Sequence, residues 1–425
     1  MLAFAAPSGS ERRERRAVAA EGKRPAGEVF MDVTLEKIHL AERMSRLGTE
    51  SAFDVLVRAQ ELEVQGREIV HLEIGEPDFP TASHIVEAAA QALRAGWTHY
   101  GPSAGLSQLR EAVAEDASRR RDISVEPGEV VITPGAKPIL FFTFLALVEH
   151  GDEVLYPNPG FPIYESMIHF VNARAVPYGV PEERDFGIDV GEILSKITDR
   201  TRLLILNSPH NPTGGAVARA DLVTLAEALV GREIFILSDE IYSRLLYEGE
   251  HDSIAELPGM KQRTIILDGF SKTYAMTGWR LGYGIMCADL AQKVARLQTN
   301  SNSCTASFTQ IAGVEALRGD QASVDHMVEE FRRRRMVMVD GLNRIPGFHC
   351  RMPRGAFYAF PNIAGTNRNS KALADALLDE AGVACLSGTA FGAWGEGYLR
   401  FSFANSVQNI HKALERIEDW TKKNL

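Results

Sequence analysis

Apolar residues return at helical spacing between Leu40 and Gln65, with Ala52, Val55, Leu56, Ala59 and Leu62 on one face. The spacing predicts a helix running into the extended segment Ile69–Ile74. Gly75-Glu-Pro-Asp-Phe-Pro80 then breaks the pattern, because a glycine and two prolines in six residues cannot continue a ladder. Helices are predicted over Ser83–Ala95, from Leu106 to about Ala117, over Pro138–Glu149 and over Ala220–Val230. Between and after them lie short apolar runs that read as strands: Val130–Thr133, Glu153–Tyr156, Arg202–Asn207, Glu233–Tyr242, Thr264–Asp268 and Gly282–Met286. Beyond Cys304 one helical pattern runs to about Asn343. Strand and helix then alternate through Ala356–Phe360, Ser370–Glu380, Val383–Leu386, Tyr398–Ala404 and Val407–Thr421. Alternation of this kind predicts an α/β fold, a mostly parallel sheet flanked by helices with a smaller α/β part after it.

Length and charge narrow the picture. A chain of 425 residues is too long for one typical core and can bury a sizeable interior. With 45% hydrophobic and 24% charged residues it reads as globular, and a net charge of -10 opposes binding to nucleic acid or to acidic membranes. The longest apolar run, Ile139–Val148, falls far short of the roughly 20 residues needed to cross a bilayer. Four scattered cysteines have no metal or disulfide spacing, so reduced thiols and a cytoplasmic location are expected, with no metal site. Residues 1–30, rich in Ala, Arg and Glu, read as a disordered extension, with Met31 as a candidate start. The Arg332-Arg-Arg-Arg335 run reads as a solvated helix face or ion-pair set.

Several positions carry chemistry. Lys272 lies in Asp268-Gly-Phe-Ser-Lys-Thr-Tyr-Ala-Met-Thr-Gly-Trp-Arg-Leu-Gly-Tyr283, where a strand gives way to a tight turn. A desolvated amine there is a good nucleophile toward a carbonyl carbon, and Arg280, a fixed fork of donors, suits a phosphate. Pro134-Gly-Ala-Lys137, between a strand and a helix start, offers free amides and a positive dipole end to an anion. Asp239 falls at the carboxyl end of an apolar strand, where open α/β sheets collect ligands. Arg400 sits among apolar and aromatic residues in Gly397-Tyr-Leu-Arg-Phe-Ser-Phe-Ala404, a place a charge seldom occupies unpaired. Taken singly, each keeps a structural reading: surface charge, helix start, strand cap, core salt bridge.

The lysine string, together with Tyr100-Gly-Pro-Ser-Ala-Gly105 and Asn211-Pro-Thr-Gly214 in that chain order, resembles the class I/II aminotransferases, pyridoxal 5′-phosphate enzymes of fold type I. The resemblance runs from about Leu40 to the C-terminus. It implies Lys272 as the residue bonded to the cofactor and as the general base, with Asp239 on the pyridine nitrogen. Phe161 would stack on the ring, Asn211 and Tyr242 meet its phenolic oxygen, and Gly135, Ala136, Lys137 and Arg280 hold its phosphate. Tyr100 would reach the phosphate of a neighbouring subunit, which makes a homodimer with shared sites the expected assembly. Gly75, Asn211 and Arg400 would bind the substrate, Arg400 as a clamp on the α-carboxylate. Gly388, Phe391 and Gly392 match a nearby loop of the family, with Ser387 where relatives often have proline. Gly269 departs from relatives that carry serine there, and Ser271 is the candidate to compensate.

The resemblance divides the chain into the extension 1–30, an arm and part of the small domain over 31–75, the large cofactor-binding domain over 76–305, and a small C-terminal domain over 306–425. The implied reaction moves an amino group between an L-amino acid and a 2-oxo acid in two half-reactions, with aspartate or glutamate and 2-oxoglutarate suggested by Lys137. Two alternatives stay open: a carbon-sulfur β-lyase of the same fold, and a non-enzymatic regulatory domain, for which the residues ahead of the fold show no winged-helix pattern.

Overall fold

The computed structural model describes residues 38–424, and the compact unit begins at Glu42. The readings of residues 1–30 and of Met31 lie outside the described residues. In chain order the elements are α1 (Ala52–Val64), β1 (Val70–His71), α2 (Ser83–Arg94), α3 (Ser107–Arg121), β2 (Val130–Thr133), α4 (Lys137–Leu147), β3 (Glu153–Asn158) and α5 (Ile163–Phe170). They continue with β4 (Arg174–Gly179), α6 (Val190–Lys196), β5 (Thr201–Asn207), α7 (Arg219–Leu229), β6 (Phe235–Asp239), β7 (Thr264–Gly269), β8 (Gly282–Ile285) and α8 (Ala288–Asn302). The remainder is α9 (Ser307–Arg318), α10 (Ala322–Leu342), β9 (Tyr358–Ala359), α11 (Ser370–Ala376), β10 (Val383–Ala384), β11 (Leu386–Ser387), β12 (Leu399–Ser402) and α12 (Val407–Asn424).

Seven strands form the main sheet in the order β2-β8-β7-β6-β5-β3-β4. All neighbours are parallel except β8, which runs antiparallel to both β2 and β7. Helices cover both faces, so the strands read as continuous apolar runs and their alternate residues enter different cores. On β5, Leu203 and Ile205 pack with Ile139 of α4 and Met167 of α5, while Leu204 and Leu206 pack with Leu222 and Leu225 of α7. Each such side chain, fully buried, contributes about 2 kcal/mol. A third core joins α2, α3 and α9 to Val130, Ile132 and Tyr283 at the β2 edge. The smaller antiparallel sheet β11-β12-β9 and the parallel pair β1-β10 share a separate core with α10 and α12, into which Val70 and Leu72 also pack.

Two expectations change. The first helix is shorter than its pattern, because a 3-10 turn at Glu42–Arg46 and Gly48 precede α1. The long helix after Cys304 is two, α9 and α10, divided at Gly319 and Asp320. The arginine run is the ion-pair set of its two readings: Arg332 and Arg333, exposed, pair with Glu329 and Glu330, and Arg334 and Arg335, buried, pair with Asp78, Glu330 and Glu248.

Candidate active site

The carboxyl ends of β5, β6 and β7 and the turn after β2 open into one cavity of about 400 Å³, within the usual range for small-molecule sites. Lys272, Asp239, Arg280, Asn211, Tyr242, Phe161, Ala136, Lys137, Gly75 and Arg400 all line it. Lys272 follows β7 in a turn whose backbone is left-handed at Ala275 (φ 51) and again at Arg280 (φ 53), conformations that cost a non-glycine residue about 1 kcal/mol or more. Its ammonium donates to the Gly75 carbonyl. Burial lowers the lysine pKa to about 8, against the pull of the Glu76 carboxylate. A cation that gives up its proton near neutrality is suited to act as nucleophile and base.

Asp239 ends β6, 6% exposed. Burial raises its pKa to about 6, opposed by the Tyr164 hydroxyl, which donates at 2.6 Å, and by the Ile241 amide. Among the described residues the carboxylate has no cationic partner of its own, and a ring N-H+ would supply one. Arg400 on β12 donates to Asn211 Oδ1 at 3.0 Å and to the Glu73 carbonyl, and lies 4.4 Å from the Tyr358 ring centre. Its Nε is buried without a hydrogen-bond partner among the described residues. Tyr242 and Tyr358 share a hydroxyl contact of 2.7 Å. Gly75 has room for no side chain, since a Cβ there would come within 2.1 Å of the Tyr358 oxygen.

The turn Gly135-Ala-Lys137 opens α4, and its three amides donate to no backbone acceptor among the described residues. Arg280 lies against it: a Cβ on Gly135 (φ 88) would meet Arg280 Nη2 at 2.1 Å. Free amides, a helix start and a guanidinium together make an anion cradle. Behind it the backbones are packed glycine to glycine. Gly269 faces Gly282 across the β7–β8 ladder, a Cβ on Gly269 would sit 2.9 Å from Gly282 Cα, and a Cβ on Gly282 would sit 2.4 Å from the Ala136 nitrogen. A serine at 269 would need that seam to open, and Ser271 lines the cavity instead.

Tyr100 stands apart, 89% exposed and outside this cavity. Gly135, next to the lining residue Ala136, is not itself in the cavity wall. The sequence reading missed Tyr164, Asn207 and Tyr358 in the cavity wall, and Glu50, whose carboxylate meets the Lys137 ammonium. It also missed a buried ion network under the site. Arg121 joins Glu240, which follows Asp239, to Asp268 on β7; Arg120 joins Asp268 to Asp116. Burial alone would raise the Glu240 pKa, but Arg121 and His251 hold it well below the usual range.

A lysine, an aspartate and an arginine converging on an anion cradle at the carboxyl edge of a mostly parallel sheet define the fold-type-I α/β architecture of aminotransferases. The chain belongs to the family described as aminotransferase class I and II, whose model matches residues 67–417. It is 39% identical over 385 residues to an aspartate aminotransferase of Pyrococcus horikoshii, covering 90% of this chain and 97% of that one. It is equally 39% identical to aromatic-amino-acid aminotransferase 2 of Thermococcus litoralis, over 84% of this chain and 92% of that one. Among solved structures, the aspartate aminotransferase from Thermus thermophilus with maleate superimposes with a TM-score of 0.87 at 37% identity, covering 90% of this chain and all of the other. The chain is an aminotransferase.

Proposed function

We propose that the cavity holds pyridoxal 5′-phosphate and exchanges amino groups between an acidic L-amino acid, aspartate or glutamate, and 2-oxoglutarate. One observation carries the cofactor reading: the amine of Lys272, the buried carboxyl of Asp239 and, from the anion cradle, Ala136, Lys137 and Arg280 face one cavity. These residues fit an aldehyde, a pyridine nitrogen and a phosphate. Lys272 would bond the aldehyde carbon, Asp239 pair with the ring nitrogen, Phe161 pack on the ring, Asn211 and Tyr242 meet the phenolic oxygen, and Ser271 supply the hydroxyl that Gly269 lacks. When bound, the cofactor supplies an electron sink for the bond broken at the substrate's Cα.

This chain's residues do the rest. Arg400, with its Nε unspent, takes the substrate α-carboxylate and sets the Cα–H bond toward Lys272. Lys272, its pKa near 8, takes the proton from Cα and returns one. The apolar wall of Phe391, Leu386 and Ile74 keeps bulk water from the reacting carbon. Lys137 at the rim supports an acidic substrate, as do the names of several relatives.

The exposure of Tyr100 supports a homodimer in which this ring completes the phosphate site of a second copy. We read residues 76–305 as the cofactor-binding domain and 31–75 with 306–425 as the small one, acting in the cytoplasm. The test loads the protein with pyridoxal phosphate and scans amino donors against 2-oxoglutarate. Glutamate or aspartate should form its 2-oxo acid, and Lys272→Ala should lose both turnover and the cofactor's visible band. Turnover retained by Lys272→Ala, or pyruvate and ammonia released without an acceptor, would refute the reading, the latter in favour of a β-lyase.

A further inference from the structure

The cavity already contains a carboxylate where an acidic substrate would place its own. Glu50 lies on the turn ahead of α1, its side chain only 19% exposed, and its single hydrogen-bond partner among the described residues is the Lys137 ammonium. Lys137 has no other hydrogen-bond acceptor there and rests 5.4 Å from the centre of the Phe161 ring. Both line the same cavity as Lys272 and Arg400, and the charge of Glu50 is felt at each of those groups. The segment bearing Glu50 is held at Gly48, which exchanges two hydrogen bonds with Ser166 of α5. The carboxylate is thus presented by a tethered turn and not by a free end.

We propose that Glu50 is a specificity-determining residue, an internal counter-carboxylate that occupies Lys137 when the substrate side chain is uncharged and yields it when that side chain is acidic. The inference rests on the aminotransferase reading of this cavity and adds the basis for its side-chain selection. An aminotransferase must admit two different side chains to one pocket in its two half-reactions. A lone ammonium at the rim would favour the acidic one and leave an unpaired charge beside an apolar one. With Glu50 in place the rim is neutral by itself, and an uncharged side chain meets Phe53, Leu140 and Phe391 without stranding Lys137. An acidic side chain takes the ammonium by exchange of one carboxylate for another. That exchange costs little because Lys137 is 51% exposed, and ion pairs open to solvent are weak. A fully buried pair would lock the rim and exclude acidic guests.

The experiment measures binding by calorimetry to the pyridoxal-phosphate-loaded protein, using glutarate as a dicarboxylate and pentanoate as its singly charged match. Glu50→Gln should raise the glutarate-to-pentanoate affinity ratio by up to about fivefold, the limit set by an exposed ion pair. The same variant should raise kcat/KM for glutamate relative to leucine in that proportion. In Lys137→Met the ratio should fall, and adding Glu50→Gln to it should change nothing further. A ratio identical in wild type and Glu50→Gln, or a shift that survives Lys137→Met, overturns the proposal. Absence of turnover with every donor would refute the functional reading alone, since the binding ratio reads Glu50 independently.

Discussion

Replacing Lys272 by methionine removes the amine proposed to bond the cofactor, and the folded protein should become more stable. Burial takes the amine from 10.5 to about 8, so the folded state pays to keep it charged at neutral pH. A shift of two to three units corresponds to about 3 kcal/mol, a ceiling because part of the side chain still meets solvent. The sign follows from proton binding. Between about pH 8 and 10 the unfolded chain holds a proton that the folded one has released, so wild-type stability rises with pH through that window. Methionine fills similar volume and does not titrate. The variant's advantage should therefore be about 3 kcal/mol near pH 7 and shrink to about 1 kcal/mol near pH 9.5. Urea unfolding of protein dialysed free of pyridoxal phosphate, followed by tryptophan fluorescence at the two pH values, measures it as a shift in midpoint. An advantage that does not change with pH, or a variant less stable than wild type near pH 7, would refute the assignment of a desolvated amine to this position.

Arg400→Ala should raise KM for amino acids by an amount worth roughly 2 to 5 kcal/mol, the cost of stranding a charge partner in a buried site, with cofactor content unchanged on absorbance. Tyr164→Phe removes the short bond to Asp239, so the Asp239 pKa should climb further above 6 and cofactor affinity should fall by about 1.5 to 3 kcal/mol in equilibrium dialysis, more at lower pH. Arg121→Met leaves Glu240 and Asp268 buried without their guanidinium and should cost about 3 to 5 kcal/mol in unfolding midpoints. Because its pair keeps Glu240 ionised, that variant's deficit should narrow as pH falls and the carboxyl takes a proton.

Residues whose chemistry is tied to local chain punctuation were legible in the sequence. Lys272 sits between a strand and a turn, Asp239 ends an apolar run, and the 135–137 turn joins strand to helix; each is announced by its immediate neighbours. Contacts closed by the fold were not. Arg121 looks like one more charge in the tail of an arginine-rich helix, and only the fold brings it 147 positions along the chain to Asp268. Tyr164 and Tyr358 carry no local mark of a role, and the one available signal is that a buried hydroxyl needs a partner. Glu50 lies in an unpatterned turn. Among the strands, β4 escaped notice because it is the sheet's edge, with Arg174 and Pro177 breaking its apolar run. The α9–α10 break carries a glycine, but the apolar rhythm resumes too quickly to mark it.

The side-chain-free seam of Gly269, Gly282 and the 135–136 backbone has a mechanical consequence. The 135–136 turn and the two strands that flank the lysine loop meet there backbone to backbone, so side-chain rotamers have little room to absorb a displacement of one against the others. A flexing of the sheet margin should therefore carry the 135–137 turn and the lysine loop together. On the proposed reading, backbone thickness at this seam sets the distance between the turn that would hold the phosphate and the strand that leads to Lys272.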